Sequence, residues 1–409
     1  MPTPVDGTGY NTRSMAAVYL DHNATSPLDP RVREAMLPWL GERHGNPSSL
    51  HAFGQGARNA IEEAREKVAA LLGARPAEIV FTASGTEANN AVLFDLAFAP
   101  SKDGLPKRVV TSGFEHPSVR EAANRLGDRG FEIERIAPRG GTVDADEMIA
   151  ALAPGPNRPA ASLAALMLAN NELGTIQPVA QVARAARAFG VPVLCDAVQA
   201  VGKIPVSVAE LDVDALVLGG HKFHGPLGAA ALWLRKGFDL HGYLVGGSQE
   251  RRRRAGTENV PAIVGLGVAA EIAARELETR HRHLAGLRDR IERGILESTQ
   301  IADARIHCTD RPRLPNTTHI AFSGVEGEAL LIRLDLAGFA VSTGSACSSG
   351  TVEPSKGMLA AGFSPEEALS SLRVSVGMTN TEAEIDAFLE SLPREVAALR
   401  RFAPVPVSR

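Results

Sequence analysis

The chain predicts an α/β fold in which helices cover a largely parallel central sheet, with a smaller α/β domain after it. Three observations support this prediction. Short apolar runs alternate with helical patterns from residue 58 onward. The runs are apolar almost throughout, as expected for strands that are buried on both faces. Near residue 262 the pattern changes, and a long helical stretch begins.

The first part of the chain supplies the strands of the large sheet. The strand candidates are residues 78–82, 108–111, 163–168, 191–195 and 215–218. Helices fall between them, and two have clear end signals: residues 58–72 stop at Gly73, and residues 178–189 begin with a proline and close at Gly190. This alternation predicts parallel strands joined by helical crossovers.

The later part of the chain is predicted to form the second domain. A helical stretch at 262–298 is followed by sparse strands at 318–322 and 372–376 and by further helices. We therefore divide the chain into a flexible N-terminal leader, a large domain and a small C-terminal domain, at residues 1–17, 18–262 and 263–409. The leader contains proline and glycine but few apolar residues.

Composition limits the class of protein. The 409 residues are 44% apolar and 22% charged, with a formal net charge of −4, as in soluble globular proteins. The three cysteines, Cys195, Cys308 and Cys347, lack the paired spacing of a disulfide framework or a Cys-x-x-Cys zinc site. No apolar run reaches the length of a membrane span, and no secretory signal is present. We expect a cytoplasmic protein that binds neither membrane nor nucleic acid.

Polar residues follow the predicted strands, at the sheet edge where open parallel sheets bind ligands. Residues 83–87, with the sequence Ala-Ser-Gly-Thr-Glu, follow the first strand and open a helix, whose free N–H groups suit a phosphate. Taken alone, this segment is more typical of an ordinary Ser/Thr helix cap. The next strands are followed by Glu115-His116-Pro117, by Asn170-Asn171-Glu172, by Asp196 with Gln199, and by Gly219-Gly220-His221-Lys222.

A phosphate cradle, a carboxylate and a lysine on one sheet edge are what pyridoxal phosphate requires. Lys222 can form the Schiff base, and Asp196 can keep the pyridine nitrogen protonated. Gln199 can hydrogen-bond the ring hydroxyl, while His116 can stack on the ring and exchange protons near neutral pH. Each residue alone has an ordinary explanation as a turn, packing or surface residue, so only the combination predicts the cofactor.

A run of small residues at 342–350 carries Cys347 and is typical of a mobile loop. Cys195 lies in an apolar run, as structural cysteines usually do. A nucleophilic cysteine must be reachable and ionisable, and Cys347 meets the requirement for exposure. From this local context alone, a reactive role for Cys347 is the less frequent outcome.

In this order and spacing, the motifs resemble the cysteine desulfurases, which are fold type I pyridoxal phosphate enzymes. The resemblance is closest to the nitrogen-fixation and iron–sulfur assembly type, and it spans nearly the whole chain. It rests on Asp196, Gln199 and the motifs at 19–25, 44–49, 82–90, 115–117, 170–174, 221–222, 254–259, 342–350 and 372–375.

The resemblance implies a role for each matching residue. Lys222 would hold the cofactor, Asp196 would pair with its ring nitrogen, and His116 would stack on its ring. The other residues expected at the cofactor are Gly85, Thr86, Asn171, Gln199, Gly219, Gly220, His221 and, from the neighbouring subunit, Thr257. The substrate carboxylate would be held by Asn46, Asn171 and Arg373.

The resemblance also implies the reaction. L-Cysteine would lose its sulfur and leave as L-alanine, with Lys222, His116 and Cys347 as catalytic residues and a persulfide formed on Cys347. The persulfide would pass to an iron–sulfur scaffold or another acceptor protein. A homodimer is expected because Thr257 would act in the neighbouring site. No resident metal site is expected, although Cys347 would be a candidate for transient iron–sulfur ligation.

One position departs from the family pattern. The family usually has a serine three residues before the Schiff-base lysine, and this chain has Gly219 there. The cofactor phosphate would lose one hydroxyl partner, which predicts looser binding with activity retained.

Several alternatives stay open at this stage. A selenocysteine lyase or a related lyase of the same fold would share all these residues except the dependence on Cys347. A non-catalytic sulfur carrier is disfavoured by the full residue set. Residues 265–270 fit the dinucleotide fingerprint G-x-G-x-x-A but lack its strand context, which favours a small-residue helix face. Residues 251–254 are four arginines, too short and isolated a run to indicate a nucleic-acid site.

Overall fold

A mostly parallel sheet organises the larger part of the molecule. The computed structural model describes residues 18–98, 107–156, 158–238, 240, 243–343 and 353–401, and within them seven strands form this sheet. They are β2 (Ile79–Thr82), β3 (Arg108–Ser112), β4 (Glu132–Ile136), β5 (Leu163–Met167), β6 (Val193–Asp196), β7 (Ala215–Gly219) and β8 (Ala230–Leu234). Their spatial order is β2-β8-β7-β6-β5-β3-β4. Strand β8 runs antiparallel to both of its neighbours, β2 and β7, and the remaining neighbouring pairs are parallel.

Helices cover this sheet on both faces and include the ones expected from the sequence. They are α1 (Pro30–Leu40), α2 (Ala52–Leu72), α3 (Gly85–Phe98), α4 (Pro117–Gly127), α5 (Ala145–Leu152), α6 (Val179–Ala188) and α7 (Val208–Leu211). Helix α2 ends at Gly73, which adopts the left-handed conformation with φ of 66°. It begins six residues earlier than expected because His51 caps it, with Nδ1 accepting a hydrogen bond from the Gly54 N–H at 3.3 Å.

A second group of strands lies beyond the long helix α8 (Val260–Leu296). Strand β10 (Thr317–Phe322) pairs antiparallel with β9 (Ala304–Ile306) and β12 (Ser371–Ser375). Strand β11 (Phe339–Ala340) pairs in parallel with β1 (Val18–Tyr19). The remaining helices are α9 (Gly327–Leu336), α10 (Lys356–Ala360), α11 (Pro365–Leu369) and α12 (Glu382–Arg400).

Helix α8 connects two hydrophobic cores. Its first part, up to Ala273, packs into the core beneath the large sheet, and its buried residues from Leu284 to Ile295 pack into the core of the later strands. Leu20, near the start of the described chain, also belongs to the later core. The division at 262/263 stays a prediction, and the leader 1–17 lies outside the described residues.

The structure confirms the α/β class and all five predicted strands of the large sheet, with bounds that shift by one or two residues. It adds β4 and β8, which the sequence patterns did not reveal. In the described ranges, no helix combines the length and apolar character required to cross a bilayer.

Candidate active site

The described residues place a cavity with about 700 Å³ of empty space at the carboxyl edge of the parallel strands. Eight of the residues predicted from the sequence line it: Gly85, Thr86, His116, Asn171, Asp196, Gln199, His221 and Lys222. They follow or end five strands, β2, β3, β5, β6 and β7, which run in the same direction and bring those ends to one edge. The topology therefore assembles the cluster from distant parts of the chain.

The start of α3 forms one wall of this cavity. Ser84 caps the helix, because its Oγ accepts a hydrogen bond from the Glu87 N–H at 3.1 Å. Gly85 opens the helix, and a Cβ atom there would come within 2.9 Å of Val198 Cγ2, so a side chain would crowd the wall. Opposite it, His221 Nδ1 lies 3.2 Å from Thr25 Oγ1. Helix N–H groups and hydroxyls of this kind suit a phosphate.

Asp196 presents an oriented, almost buried carboxylate, with a side chain at the end of β6. Its Oδ2 accepts a hydrogen bond from Asn89 Nδ2 at 2.8 Å, and its Oδ1 accepts one from the Val198 N–H at 3.0 Å. Two donors on opposite oxygens fix the plane of the carboxylate. Such a group can face a cationic ring nitrogen.

Lys222 follows β7 in a short 3₁₀ turn, and its amine reaches the cavity. Nζ donates hydrogen bonds to the carbonyl oxygens of Asn23 and Ala24 at 2.7 and 2.8 Å. Burial, and then the positive charge of Arg373, lower the pKa of this amine to about 8. A substantial neutral fraction near physiological pH makes Lys222 a competent nucleophile and base.

His116 caps the N-terminus of α4, and its ring borders the cavity. Its Nδ1 accepts a hydrogen bond from the Ser118 N–H at 3.1 Å and lies 2.8 Å from Ser118 Oγ. The ring is accessible from the cavity, yet protein atoms surround it closely, so desolvation lowers its pKa while nearby Asp196 opposes that shift. The imidazole is therefore neutral near physiological pH.

Gln199 and Lys203 form a buried network beside Lys222. The Gln199 side chain donates through Nε2 to the Asn23 carbonyl at 2.8 Å and accepts at Oε1 from Lys203 Nζ at 2.8 Å. Lys203 Nζ also donates to Asn23 Oδ1 at 3.0 Å. Burial, followed by the charge of Lys222, places the Lys203 pKa well below its usual value. Gln199 thus has a fixed orientation at the cavity wall.

Arg373 lies behind Asn171 rather than on the cavity wall. Its Nη1 donates to the Asn171 carbonyl at 3.0 Å, and its Nη2 pairs with Asp21 Oδ1 at 2.5 Å. The guanidinium is buried, and its Nε has no hydrogen-bond partner among the described residues. An unpaired N–H donor on a buried cation can still bind an anionic ligand.

Other predicted residues are not brought to the cavity within one chain. Gly219 and Gly220 lie buried directly before Lys222. Asn46 and Thr257 are exposed, and Asn46 Oδ1 accepts a hydrogen bond from the Ser48 N–H at 2.9 Å. Cys347 lies outside the described residues.

Sequence reasoning missed three polar residues that contact the predicted ones: Asn89, Ser118 and Lys203. Asn89 lies in α3 and Ser118 lies in the first turn of α4, and both line the cavity. The sequence signal that could have revealed Asn89 and Ser118 is a polar residue on the inward face of each helix. Lys203 carries no local sign of burial, because lysines usually lie in solvent.

The competing motifs have structural explanations. Residues 265–270 lie inside α8, where a Cβ atom on Gly267 would come within 2.6 Å of Ala64 Cα. This close helix contact confirms the small-residue face. Arg254 pairs with Glu87 at 2.7 Å, and Arg253 donates to the Ile79 carbonyl at 3.1 Å, so this arginine run contributes to intramolecular contacts. No group of three candidate metal ligands occurs in the part of the chain that the structure describes.

The cavity residues fit pyridoxal phosphate. An aldehyde requires a reachable amine, a pyridinium requires a fixed carboxylate, and a phosphate requires free N–H donors. Lys222, Asp196 and the start of α3 supply these three groups around one cavity.

Comparison with known proteins agrees with this geometry. Residues 18–388 match the family model described as aminotransferase class-V. The chain is 44% identical over 388 residues to cysteine desulfurase IscS of Dictyoglomus turgidum, covering 95% of this chain and 96% of that protein. It is 42% identical over 401 residues to cysteine desulfurase IscS of Methanosarcina thermophila, covering 98% and 96%.

Solved structures show the same relationship. A NifS-like protein aligns with a TM-score of 0.85 and 35% identity, covering 93% of this chain and all of its own. A structure described as SspA in complex with cysteine aligns with a TM-score of 0.76 and 31% identity, covering 89% and 100%. The expected family is confirmed. The chain belongs to the cysteine desulfurases, within the class V aminotransferase family.

Proposed function

We propose that this protein is a pyridoxal phosphate-dependent cysteine desulfurase, which removes sulfur from L-cysteine, releases L-alanine and carries the sulfur as a persulfide on Cys347. One observation carries the proposal: the desolvated Lys222 amine, the fixed Asp196 carboxylate and the His116 ring border a single cavity. The relatives at 42–44% identity support the same activity.

Bound pyridoxal phosphate would supply an electron sink for the substrate Cα. Asp196 maintains the negative charge that stabilises a protonated ring nitrogen. Lys222, whose neutral form is accessible near physiological pH, takes the proton from the substrate Cα. His116, which lines the same cavity, can deliver a proton there.

We propose that Arg373 binds the substrate carboxylate. Its guanidinium is a buried cation, held beside Asn171 and paired with Asp21 through one nitrogen. The remaining Nε–H is free among the described contacts. A carboxylate can bind this donor or displace Asp21, because arginine forms paired hydrogen bonds with carboxylates.

Cys347 receives the sulfur in this proposal. Its thiolate attacks the substrate sulfur, so that an S–S bond forms as the C–S bond breaks. The electron pair of the broken bond stays with the carbon fragment, which is protonated and leaves as L-alanine. The two remaining cysteines are less suited to this role, because Cys195 and Cys308 are buried free thiols whose pKa values are raised by burial.

We also propose a homodimer in the cytoplasm that delivers sulfur to an iron–sulfur scaffold or another acceptor protein. Apolar side chains exposed near Asn46 and Thr257 support the dimer: Leu50 is 83% exposed, Phe53 is 61% exposed and Val245 is 92% exposed. In such a dimer, Thr257 is the residue that we propose to act in the neighbouring site. Sedimentation analysis tests the dimer, and cell fractionation tests the location.

The activity is tested by incubating the protein with L-cysteine and a reductant while alanine and sulfide are quantified together. Equal yields of the two products support the proposal, and alanine without sulfide contradicts it.

Lys222→Ala should lose the visible cofactor band, and Cys347→Ser should bind cofactor and cysteine but release no sulfide. Cys308→Ser is the matched control and should retain activity, because Cys308 does not line the cavity. If Cys347→Ser still turns over selenocysteine at the wild-type rate, the enzyme is a selenocysteine lyase instead.

A further inference from the structure

A chain of hydrogen bonds links His116 to Asp196 along the cavity wall, through Ser118 and Asn89, which also line the cavity. Ser118 Oγ lies 2.8 Å from His116 Nδ1, and Asn89 Nδ2 lies 2.9 Å from Ser118 Oγ. The same Asn89 nitrogen lies 2.8 Å from Asp196 Oδ2. Asn89 and Ser118 are buried, with 0% and 6% of their surfaces exposed, which favours hydrogen bonds to protein partners.

The groups at the two ends of this series of hydrogen bonds, the Asp196 carboxylate and His116 Nδ1, determine which atom donates at each step. Asp196 accepts, so Asn89 must turn its NH₂ group toward the carboxylate and toward Ser118. Because the Ser118 oxygen accepts from Asn89, its own proton is available to His116 Nδ1. The Ser118 backbone N–H also donates to Nδ1 at 3.1 Å. Two donors therefore converge on one ring nitrogen.

We propose that Ser118 and Asn89 are positioning residues that hold His116 in the tautomer protonated at Nε2 and join it to Asp196. A nitrogen that accepts two hydrogen bonds cannot carry a proton of its own, so the neutral ring must carry its proton on Nε2. His116 then presents an N–H donor from its other ring nitrogen. This assigns Nε2 as the ring nitrogen through which His116 donates a proton. Only the kinetic consequence of this assignment rests on the proposed function.

The same contacts also disfavour the imidazolium form of His116, since protonation at Nδ1 would break both hydrogen bonds. Four other influences act on the pKa of the His116 ring. Asp196 favours the charged form, whereas Lys222, Arg120 and desolvation oppose it. Removal of the Ser118 hydroxyl leaves these four influences in place and should raise the pKa of His116 by about half to one pH unit, the equivalent of one neutral hydrogen bond.

Long-range ¹H–¹⁵N spectra of histidine-labelled protein test the tautomer directly, with and without bound cofactor. The chain has 11 histidines, and His116→Gln identifies the signal. In the wild type, Nε2 should be protonated and Nδ1 unprotonated. In Ser118→Ala and Asn89→Leu the spectrum should shift toward a mixture of tautomers, and Ser118→Thr should restore the wild-type pattern because it keeps the hydroxyl.

The kinetic readout is the acid limb of the kcat/KM pH profile, which should move upward by the same half to one pH unit in Ser118→Ala. Ser391→Ala removes a buried hydroxyl that has no partner among the described residues and should change neither readout. An Nδ1-protonated His116 in the wild type overturns the proposal. An unchanged tautomer and titration in Ser118→Ala also overturns it. Because the spectra need no turnover, these outcomes are independent of whether the protein is a desulfurase.

Discussion

Gly219 has space for a side chain at the position where the family usually carries a serine. Its backbone is extended, with φ of −128°, which any residue can adopt. A Cβ atom there would lie 3.5 Å from Val198 Cγ1 and 3.7 Å from His221 Cδ2, both ordinary contacts. Val198 and His221 line the cavity, so a hydroxyl at residue 219 would emerge between two cavity residues.

Gly219→Ser should therefore bind pyridoxal phosphate about tenfold or more tightly than the wild type. The reason is one added hydrogen bond to a charged phosphate, worth about 1.5–3 kcal/mol. Titration of cofactor-free protein, followed by absorbance, measures the dissociation constant. Gly219→Ala adds the same Cβ without the hydroxyl and should leave the affinity close to wild type. Equal affinities for the serine and alanine variants would contradict a phosphate contact.

At the residue scale, the sequence predicted those site residues that follow directly after strands. Asp196 and Lys222 could be placed together because the carboxyl ends of parallel strands share an edge. Asn89 and Ser118 could not, since their importance depends on which way a helix turns its side chains toward a neighbouring helix. Asn46 and Thr257 do not line the cavity of a single chain, and the proposed role of Thr257 depends on a second copy that no sequence pattern specifies.

At the scale of elements, burial determined which strands could be recognised. Strands β3, β5 and β7 are buried at every residue, and β5 and β7 read as continuous apolar runs. Strand β4 lies at the sheet edge, and its sequence Glu-Ile-Glu-Arg-Ile carries charges that disguise it. Strand β8 is apolar, but its antiparallel insertion between β2 and β7 is a property of the assembled sheet.

A buried ion pair fastens the segment before α8 to the large sheet. Both guanidinium nitrogens of Arg65 on α2 contact the Glu250 carboxylate at 2.8 Å. Glu250 also accepts the Phe81 N–H of β2 at 2.9 Å, and its side chain is only 2% exposed. Glu250 and the two arginines after it adopt positive φ angles of 45°, 58° and 68°, so this turn depends on outside contacts.

Glu250→Ala should lower the free energy of unfolding by about 3–5 kcal/mol, because it removes the buried partner of the Arg65 charge and leaves only the partly exposed Glu62 carboxylate, 3.1 Å away. Urea unfolding at a fixed protein concentration measures the loss. Asp303→Ala breaks the exposed Arg400–Asp303 pair and should cost less than about 1 kcal/mol. The double variant Arg65→Leu with Glu250→Leu should regain part of the loss, since no isolated charge remains. A Glu250→Ala protein as stable as the wild type would show that the pair does not fasten the turn.

At the scale of the whole molecule, neutral histidines are buried in both halves. His22 and His224 line the same small cavity with ring centres 5.8 Å apart, and burial lowers their pKa values to about 3 and about 4. His307 and His319 share a hydrogen bond of 2.9 Å between their Nδ1 atoms on β9–β10. Burial lowers the pKa of His307 to about 4 and that of His319 well below its usual value.

These pKa shifts predict that stability falls with decreasing pH below about 6.5. In that range the unfolded chain binds protons on these histidines while the folded protein does not, so each contributes up to about 1.4 kcal/mol per pH unit down to its folded pKa. Buried Glu115 and Glu172 act in the opposite direction, because burial raises their pKa values, to about 8 for Glu115. The histidines outnumber them, so the net slope remains positive between pH 5 and 6.5.

Denaturant unfolding at intervals from pH 5 to pH 6.5 measures this slope, above the range in which most unfolded carboxylates titrate. The double variant His307→Gln with His319→Gln should have a shallower slope than the wild type, whatever its absolute stability, because the slope depends only on proton uptake. His281→Gln, at an exposed position on α8, should leave the slope unchanged. If the double variant keeps the wild-type slope, the acid sensitivity arises elsewhere than in the His307–His319 pair.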